Sequence, residues 1–402
     1  MNYKNKFPIF SNIENHYLDT AATSQKPKVV LDKIREYYEK YNGNPGRGSH
    51  KLSVEAQSLL SNARECVRKF INAKRAEEVI FTKNTTESIN LVAYTYGMNF
   101  INENDEIILG ISNHHANIVP WQFVAKQKKA KLKYIYLTKN GQFDLEDLKN
   151  KISDRTKIVA ISAVVNVTGV IQPIKEIIEI AHSKNSLVLV DAAQSMLHFK
   201  HDVQELDADF LVFSGHKMLA PMGIGALYAK LDLLNSMPPF LYGGEMIETV
   251  TRYDAVYAQV PHKFEAGTVN AGGAVGLEAA IKYIKELGFD AIKEREEALT
   301  KLAFDELADY DKVHILGSAD YKEHHGIIAF SIDDVHPHDI AQILSTDDIA
   351  VRAGHHCAQP LLKHLGFMST ARASLAFYNT EEEVVRFTDS LKSIRRRMGY
   401  AK

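Results

Sequence analysis

The feature that most constrains this chain is an alternation. Short apolar, β-branched runs at 79–82, 106–109, 157–164, 187–190 and 210–213 are separated in several places by amphipathic stretches such as 87–98 and 174–184. Brief continuous apolar runs read as strands buried on both faces, and helical stretches between them act as crossovers that make neighbouring strands parallel. The spacing therefore predicts an α/β domain with a mainly parallel sheet. After about residue 290 the pattern changes. A long charged helical stretch over 289–310 follows Gly288, then come a short strand over 326–332 and helices over 338–344 and 381–397. These predict a smaller α+β unit. The expected organisation is an N-terminal arm, 1–20, packing near the small domain, a large domain, 21–288, and a small C-terminal domain, 289–402.

Composition excludes more than it reveals. The chain has 402 residues, 45% hydrophobic and 24% charged, ample for a sizeable core. A formal net charge of −2 gives no electrostatic reason to expect nucleic acid or an anionic membrane as partner. The N-terminal segment has no apolar run of signal-peptide length, and no stretch approaches the roughly 18–20 apolar residues of a membrane span. A cytoplasmic location is expected. The two cysteines, Cys66 and Cys357, lie far apart without metal-type spacing, so neither a disulfide framework nor a metal is expected. Cys66 falls in an amphipathic helical pattern and reads as a buried structural thiol.

In open α/β sheets ligands bind beyond the C-terminal ends of the strands, and here each end carries polar groups. After 79–82 comes Asn84-Thr85-Thr86-Glu87-Ser88, opening a helix whose free N–H groups suit an anion; plain N-capping is the alternative. After 187–190 comes Asp191, with Gln194 three residues on. A carboxylate there needs a cationic partner, either a protonated pyridine nitrogen or a Lys or Arg. After 210–213 comes Ser214-Gly215-His216-Lys217. A desolvated Lys217 could form a Schiff base, although it could equally be an exposed loop lysine. Ser112-Asn113-His114-His115 and Asn166 follow two further strands, and an imidazole there could stack on a cofactor ring or be structural. Neither an NTPase P-loop nor a dinucleotide fingerprint is present.

Together these groups match what pyridoxal phosphate requires: a helix end for the phosphate, an Asp for the ring nitrogen, and Lys217, 26 residues beyond that Asp, for the aldehyde. The sequence resembles the class V aminotransferase group of fold-type I pyridoxal-phosphate enzymes, specifically the SufS-type cysteine desulfurases. The resemblance runs from Leu18-Asp19-Thr20-Ala21-Ala22 to Tyr378-Asn379-Thr380-Glu381-Glu382-Glu383, and its most specific element is Arg352-Ala353-Gly354-His355-His356-Cys357-Ala358.

The resemblance implies that Lys217 holds the cofactor, Asp191 pairs with its ring nitrogen, Gln194 bonds its ring oxygen and His114 stacks on it. Thr85, Thr86, Ser214 and His216 would hold the phosphate, and Thr268 would reach the phosphate of a neighbouring subunit in a homodimer. Arg372 would bind the carboxylate of L-cysteine, Asn166 would lie against cofactor and substrate, and Arg352 and His50 would line the entrance. Cys357 would attack the substrate's sulfur and keep it as a persulfide, with alanine released and the sulfur destined for iron-sulfur cluster assembly. His355, His356 and Arg352 stand where they could favour the thiolate that such attack needs. His338, in Val335-His336-Pro337-His338-Asp339, would take over a zinc ligand from a small zinc-bearing SufU-type acceptor; a solvated helix start is the plainer reading.

Several positions depart from the family pattern. Gly46 precedes Arg47 where a His is usual, Ala163 and Val165 replace a His and a Ser before Asn166, Met222 replaces a small polar residue, and Val269 replaces a Pro. Selenocysteine lyases and other fold-type I enzymes share much of this set, so turnover of cysteine against selenocysteine and detection of a persulfide discriminate among them. A dimeric scaffold with a vestigial cofactor site would purify colourless.

Overall fold

The structure, a computed structural model, describes residues 3–46 and 48–400. Arg47 and the extreme ends of the expected arm and C-terminal domain lie outside them.

A seven-stranded sheet forms the larger layer, in the order Val79–Thr82, Gly225–Ala229, Phe210–Ser214, Leu187–Asp191, Thr156–Ser162, Glu106–Gly110, Lys131–Ile135. Gly225–Ala229 runs antiparallel to both its neighbours, and the other pairings are parallel. The mainly parallel sheet follows from sequence: alternate residues of these apolar strands enter two separate cores. Val79, Ile108, Val159, Val188, Val190 and Leu211 pack on one face, and Ile80, Ile107, Leu109, Ile158, Leu189 and Val212 on the other. Each such side chain, fully buried, stabilises the fold by roughly 1.5–3 kcal/mol relative to exposure. The strand over 157–164 ends earlier than expected, at Ser162, and the pattern over 87–98 divides into helix Thr85–Val92, a π-helical turn Ala93–Gly97 and a short continuation.

A second, four-stranded antiparallel sheet has the order Val313–Ile315, Ile327–Ile332, Thr370–Ser374, Arg352–Gly354. Its core is closed by Leu299, Ala303, Ile340, Leu344, Val384, Phe387 and Leu391 from three helices, Phe289–Leu307, Pro337–Thr346 and Glu381–Arg397. The last is held at its start by a capping box between Thr380 and Glu383. The N-terminal segment touches both layers. Phe7 packs on Phe377 and Tyr378, His16–Tyr17 pairs in parallel with Ile349–Ala350, and Leu18 enters the smaller sheet's core.

Candidate active site

The C-terminal ends of the parallel strands converge on a cavity of about 260 Å³. One wall comes from the large sheet. Asp191 is the last residue of its strand and is in register with Ser162 on one neighbour and Val212 on the other. It is buried, and its carboxylate accepts from the Ala193 N–H, 3.0 Å away. Burial, partly opposed by that bond and by Lys217, pushes its carboxyl above the usual range. Lys217 sits in the turn after Phe210–Ser214. Burial lowers its ammonium to about 8, although Asp191 pulls the other way.

Asn84 caps the helix Thr85–Val92 by accepting from the Glu87 N–H at 3.0 Å. The Ser214 hydroxyl joins this start to the lysine strand: it accepts from the Thr85 N–H at 2.8 Å and bonds the Thr85 hydroxyl at 2.7 Å. Gly225 makes the approach possible, because a Cβ there would stand 2.6 Å from the Phe213 carbonyl and 2.9 Å from Asn84 Cα. His114 is held edge-on by the Ala116 N–H donating to its Nδ1 at 3.1 Å, and burial drives its pKa to about 3. It is a neutral, flat wall. His216, similarly, falls to about 4 by burial and by Lys217.

The opposite wall comes from the smaller sheet. Cys357 is exposed at the rim, and both it and His356 adopt left-handed backbone, with φ of +53° and +50°. Two consecutive non-glycine residues in that region are strained, at roughly 1–3 kcal/mol each. Three contacts hold them: the His115 N–H donates to the Cys357 carbonyl at 2.7 Å, Asn166 Nδ2 donates to the His356 carbonyl at 2.7 Å, and the His356 ring meets Thr370 Oγ1 at 2.9 Å. Arg372, buried, donates to the Asn166 carbonyl at 2.8 Å. Arg352 and Arg372 both reach Asp19.

Of the residues singled out from sequence, Thr85, Thr86, His114, Asn166, Asp191, Gln194, Ser214, His216, Lys217, Arg352, Cys357 and Arg372 line this one cavity. Four others do not. His355 is exposed and outside the lining. Thr268 lines a separate surface depression with Lys83, Glu87 and Gly223. His50 caps the helix Lys51–Phe70, accepting from the Ser53 N–H, rather than lining the entrance within this chain. His338 is exposed near the start of its helix, its ring stacked on His336 with centroids 5.4 Å apart. The expectation that His356 lends positive charge to Cys357 is corrected: burial drives its ring to about 3, so it stays neutral, and it is spent on Thr370. The departures at Ala163 and Val165 fall on the face turned away from the cavity, which Ser162, Val164 and Asn166 line.

Sequence reasoning missed two positioning residues. Asn113 Oδ1 accepts from both the N–H and the hydroxyl of Ser162, which locks the His114 turn onto the neighbouring strand. Asp19 appeared only as part of a motif; a carboxylate directly after a buried Leu18 was the available signal. A larger cavity of about 570 Å³ lies between helices Lys28–Glu36 and Ala271–Leu287, but it gathers tyrosines and surface Lys and Glu rather than a reactive set.

Pyridoxal phosphate fits the residues present. Asp191 is a buried carboxylate short of partners, Lys217 a buried amine beside it, and His216 Nδ1 and Asn166 Oδ1 are buried polar atoms without hydrogen bonds. An aromatic cationic ring bearing a phosphate satisfies that set.

The comparisons agree. The family described as Aminotransferase class-V matches residues 16–387. A probable cysteine desulfurase of Staphylococcus epidermidis is 50% identical over 398 residues, covering 98% of this chain and 96% of that one. One from Halalkalibacterium halodurans is 47% identical over 401 residues, covering 99% and 98%. Among solved structures, the apo cysteine desulfurase of Thermococcus onnurineus NA1 superposes with a TM-score of 0.94 at 39% identity, covering 98% and 97%. The Escherichia coli cysteine desulfurase CsdA, as its S-sulfonic acid, gives 0.91 at 36%, covering 98% of each.

Proposed function

Because this chain belongs to the class-V aminotransferase family and sits among its cysteine desulfurases, we propose that it converts L-cysteine to L-alanine and carries the sulfur as a persulfide on Cys357. The observation that carries this reading is the placing of an exposed, strained Cys357 at the rim of a cavity whose floor holds buried Lys217 and Asp191.

Bound pyridoxal phosphate supplies an electrophilic carbon for the substrate amine and a ring that withdraws electrons from Cα. The chain's residues do the rest. Lys217, its pKa near 8, is close enough to neutrality to hold and move the Cα proton. Asp191 keeps a negative charge against the ring nitrogen, and His114 covers the ring. Arg372 takes the substrate carboxylate through the Nε that has no partner. The Cys357 thiolate attacks the substrate's sulfur. An S–S bond forms, the Cβ–S bond breaks, and its electron pair goes to Cβ, which takes up a proton as alanine forms.

In this reading residues 21–288 form the cofactor-binding domain, 289–402 the domain carrying Cys357, and 1–20 an arm packing near the smaller domain. Thr268 completes the site of a second copy in a homodimer. The exposed Tyr242, Tyr253, Val256 and Tyr257 on the same stretch of chain suit such a contact. The persulfide then serves iron-sulfur cluster assembly through a small zinc-bearing acceptor, with exposed His338 as the incoming ligand. Incubation with L-cysteine, then mass spectrometry of the Cys357 peptide, should show one added sulfur with alanine produced alongside. No added sulfur in a holoenzyme that consumes cysteine sinks the reading. Sulfur transfer to the acceptor should fall in His338→Ala while alanine production without acceptor is kept.

A further inference from the structure

Asp19 holds the two arginines, Arg352 and Arg372, to one of which the substrate carboxylate is proposed to bind. Arg352 Nε lies 3.3 and 3.2 Å from its two carboxylate oxygens, and Arg352 Nη2 lies 3.0 Å from Oδ2. Arg372 Nη2 lies 3.3 Å from Oδ1. Two guanidiniums thus share one carboxylate. Arg372 can offer an incoming carboxylate only one edge: its Nη1 is committed to the Asn166 carbonyl, while its Nε has no partner. A carboxylate binding the guanidinium as a two-oxygen fork must use the Nε–Nη2 edge, and Asp19 already sits on Nη2. That contact is longer than the 2.7–2.9 Å usual for charge-assisted N–H···O bonds, so it is the one that gives way.

We propose that Asp19 is a displaceable carboxylate, which holds the Arg372 edge in the resting enzyme and competes with the amino-acid carboxylate for it. Asp19 thereby sets the affinity for substrate and speeds the departure of alanine. The inference rests on the desulfurase reading of the site.

The local construction suits a side chain that moves while its backbone stays. The Ala22 N–H donates to the Asp19 carbonyl at 3.0 Å, and a backbone bridge joins Asp19 to Ser374. Charge works in the same direction. Two cations and one anion leave a net positive cluster that attracts one further carboxylate.

The test is Asp19→Asn in the holoenzyme, which keeps the shape and removes the charge. L-Alanine and ethylamine, an amine without a carboxylate, are titrated against the visible spectrum of the bound cofactor. Alanine should bind about tenfold tighter to the variant, the scale of one charge-assisted hydrogen bond no longer contested. Ethylamine should bind unchanged. If Asp19→Asn folds poorly, Asp19→Ser should shift alanine the same way. Alanine binding that is unchanged or weaker in a folded variant overturns the proposal, as does equal tightening of ethylamine. A wild-type spectrum that responds to neither alanine nor cysteine overturns the desulfurase reading itself, and this inference with it.

Discussion

The two walls of the cavity are built by different means. The strand-end wall places Asp191 and Ser214 through sheet register, with Lys217 in the turn directly after Ser214 and Thr85 tied to Ser214 by hydrogen bonds. The facing wall has such a frame only in part: Arg352 and Arg372 stand opposite one another on neighbouring antiparallel strands, whereas Cys357 does not lie on a strand. Arg352, Cys357 and Arg372 come from short antiparallel strands and a strained turn, fixed to the large sheet by bonds across long stretches of chain, such as His115 to Cys357 and Asn166 to His356. A wall fixed by register suits groups that must stay fixed, and a wall held by a few cross-chain bonds suits a thiol that must meet both a substrate and an acceptor. The two cysteines repeat the contrast. Cys66 is half-buried, and burial lifts its thiol to about 11, while Cys357 stands in the open.

Substitutions on the first wall should therefore remove the reaction, and those on the second should separate its stages. Lys217→Ala should lower alanine formation by about four orders of magnitude, the upper range for loss of a positioned proton carrier, and abolish the cofactor's reducible link to the protein. Retained turnover would show that the fixed wall is not where the proton moves. Cys357→Ser should lower turnover less, on the order of a thousandfold, because a hydroxyl is a far weaker nucleophile toward sulfur than a thiolate. Its cofactor spectrum should match the wild type, and no added sulfur should appear at residue 357. A loss of cofactor in this variant would mean that the two walls are not separable.

The same difference explains what could be read from sequence. The strands at 187–190 and 210–213 are each apolar without interruption, and a polar residue after such a run must lie at a strand end, so Asp191 and Lys217 announce themselves locally. The role of His356 depends on a partner, Thr370, from another strand, and its two adjacent left-handed residues carry no glycine to mark them. Sequence suggested a charged ring there, and only the burial produced by folding makes it neutral. Asp19 is hidden for the same reason, since its two arginines lie more than three hundred residues away. His50 belongs to a loop and, among the described residues, caps the following helix.

Smaller effects probe the bonds that hold the second wall. Asn166→Ala removes the donor to the His356 carbonyl and should lower persulfide formation about tenfold, the scale of one buried hydrogen bond and its unsatisfied partner. Trapping of the Cα proton in deuterated solvent should slow less than sulfur transfer, and equal slowing would argue that Asn166 acts on the cofactor alone.

The smallest effect is one of pH. The His356 pKa, ordinarily about 6.5, is held near 3 by burial first and by Arg372 next. Below pH 6.5 the unfolded chain takes up a proton that the folded one refuses, so stability falls as pH drops from about 6.5 towards 3, by on the order of 1 kcal/mol per unit from this ring. Chemical unfolding of the apoprotein at pH 7 and pH 5 measures it. His356→Gln, which can still reach Thr370 but cannot titrate, should lose less stability than the wild type between those two values. An identical loss would mean that the ring titrates alike in the folded and unfolded chain, and that burial does not hold it neutral.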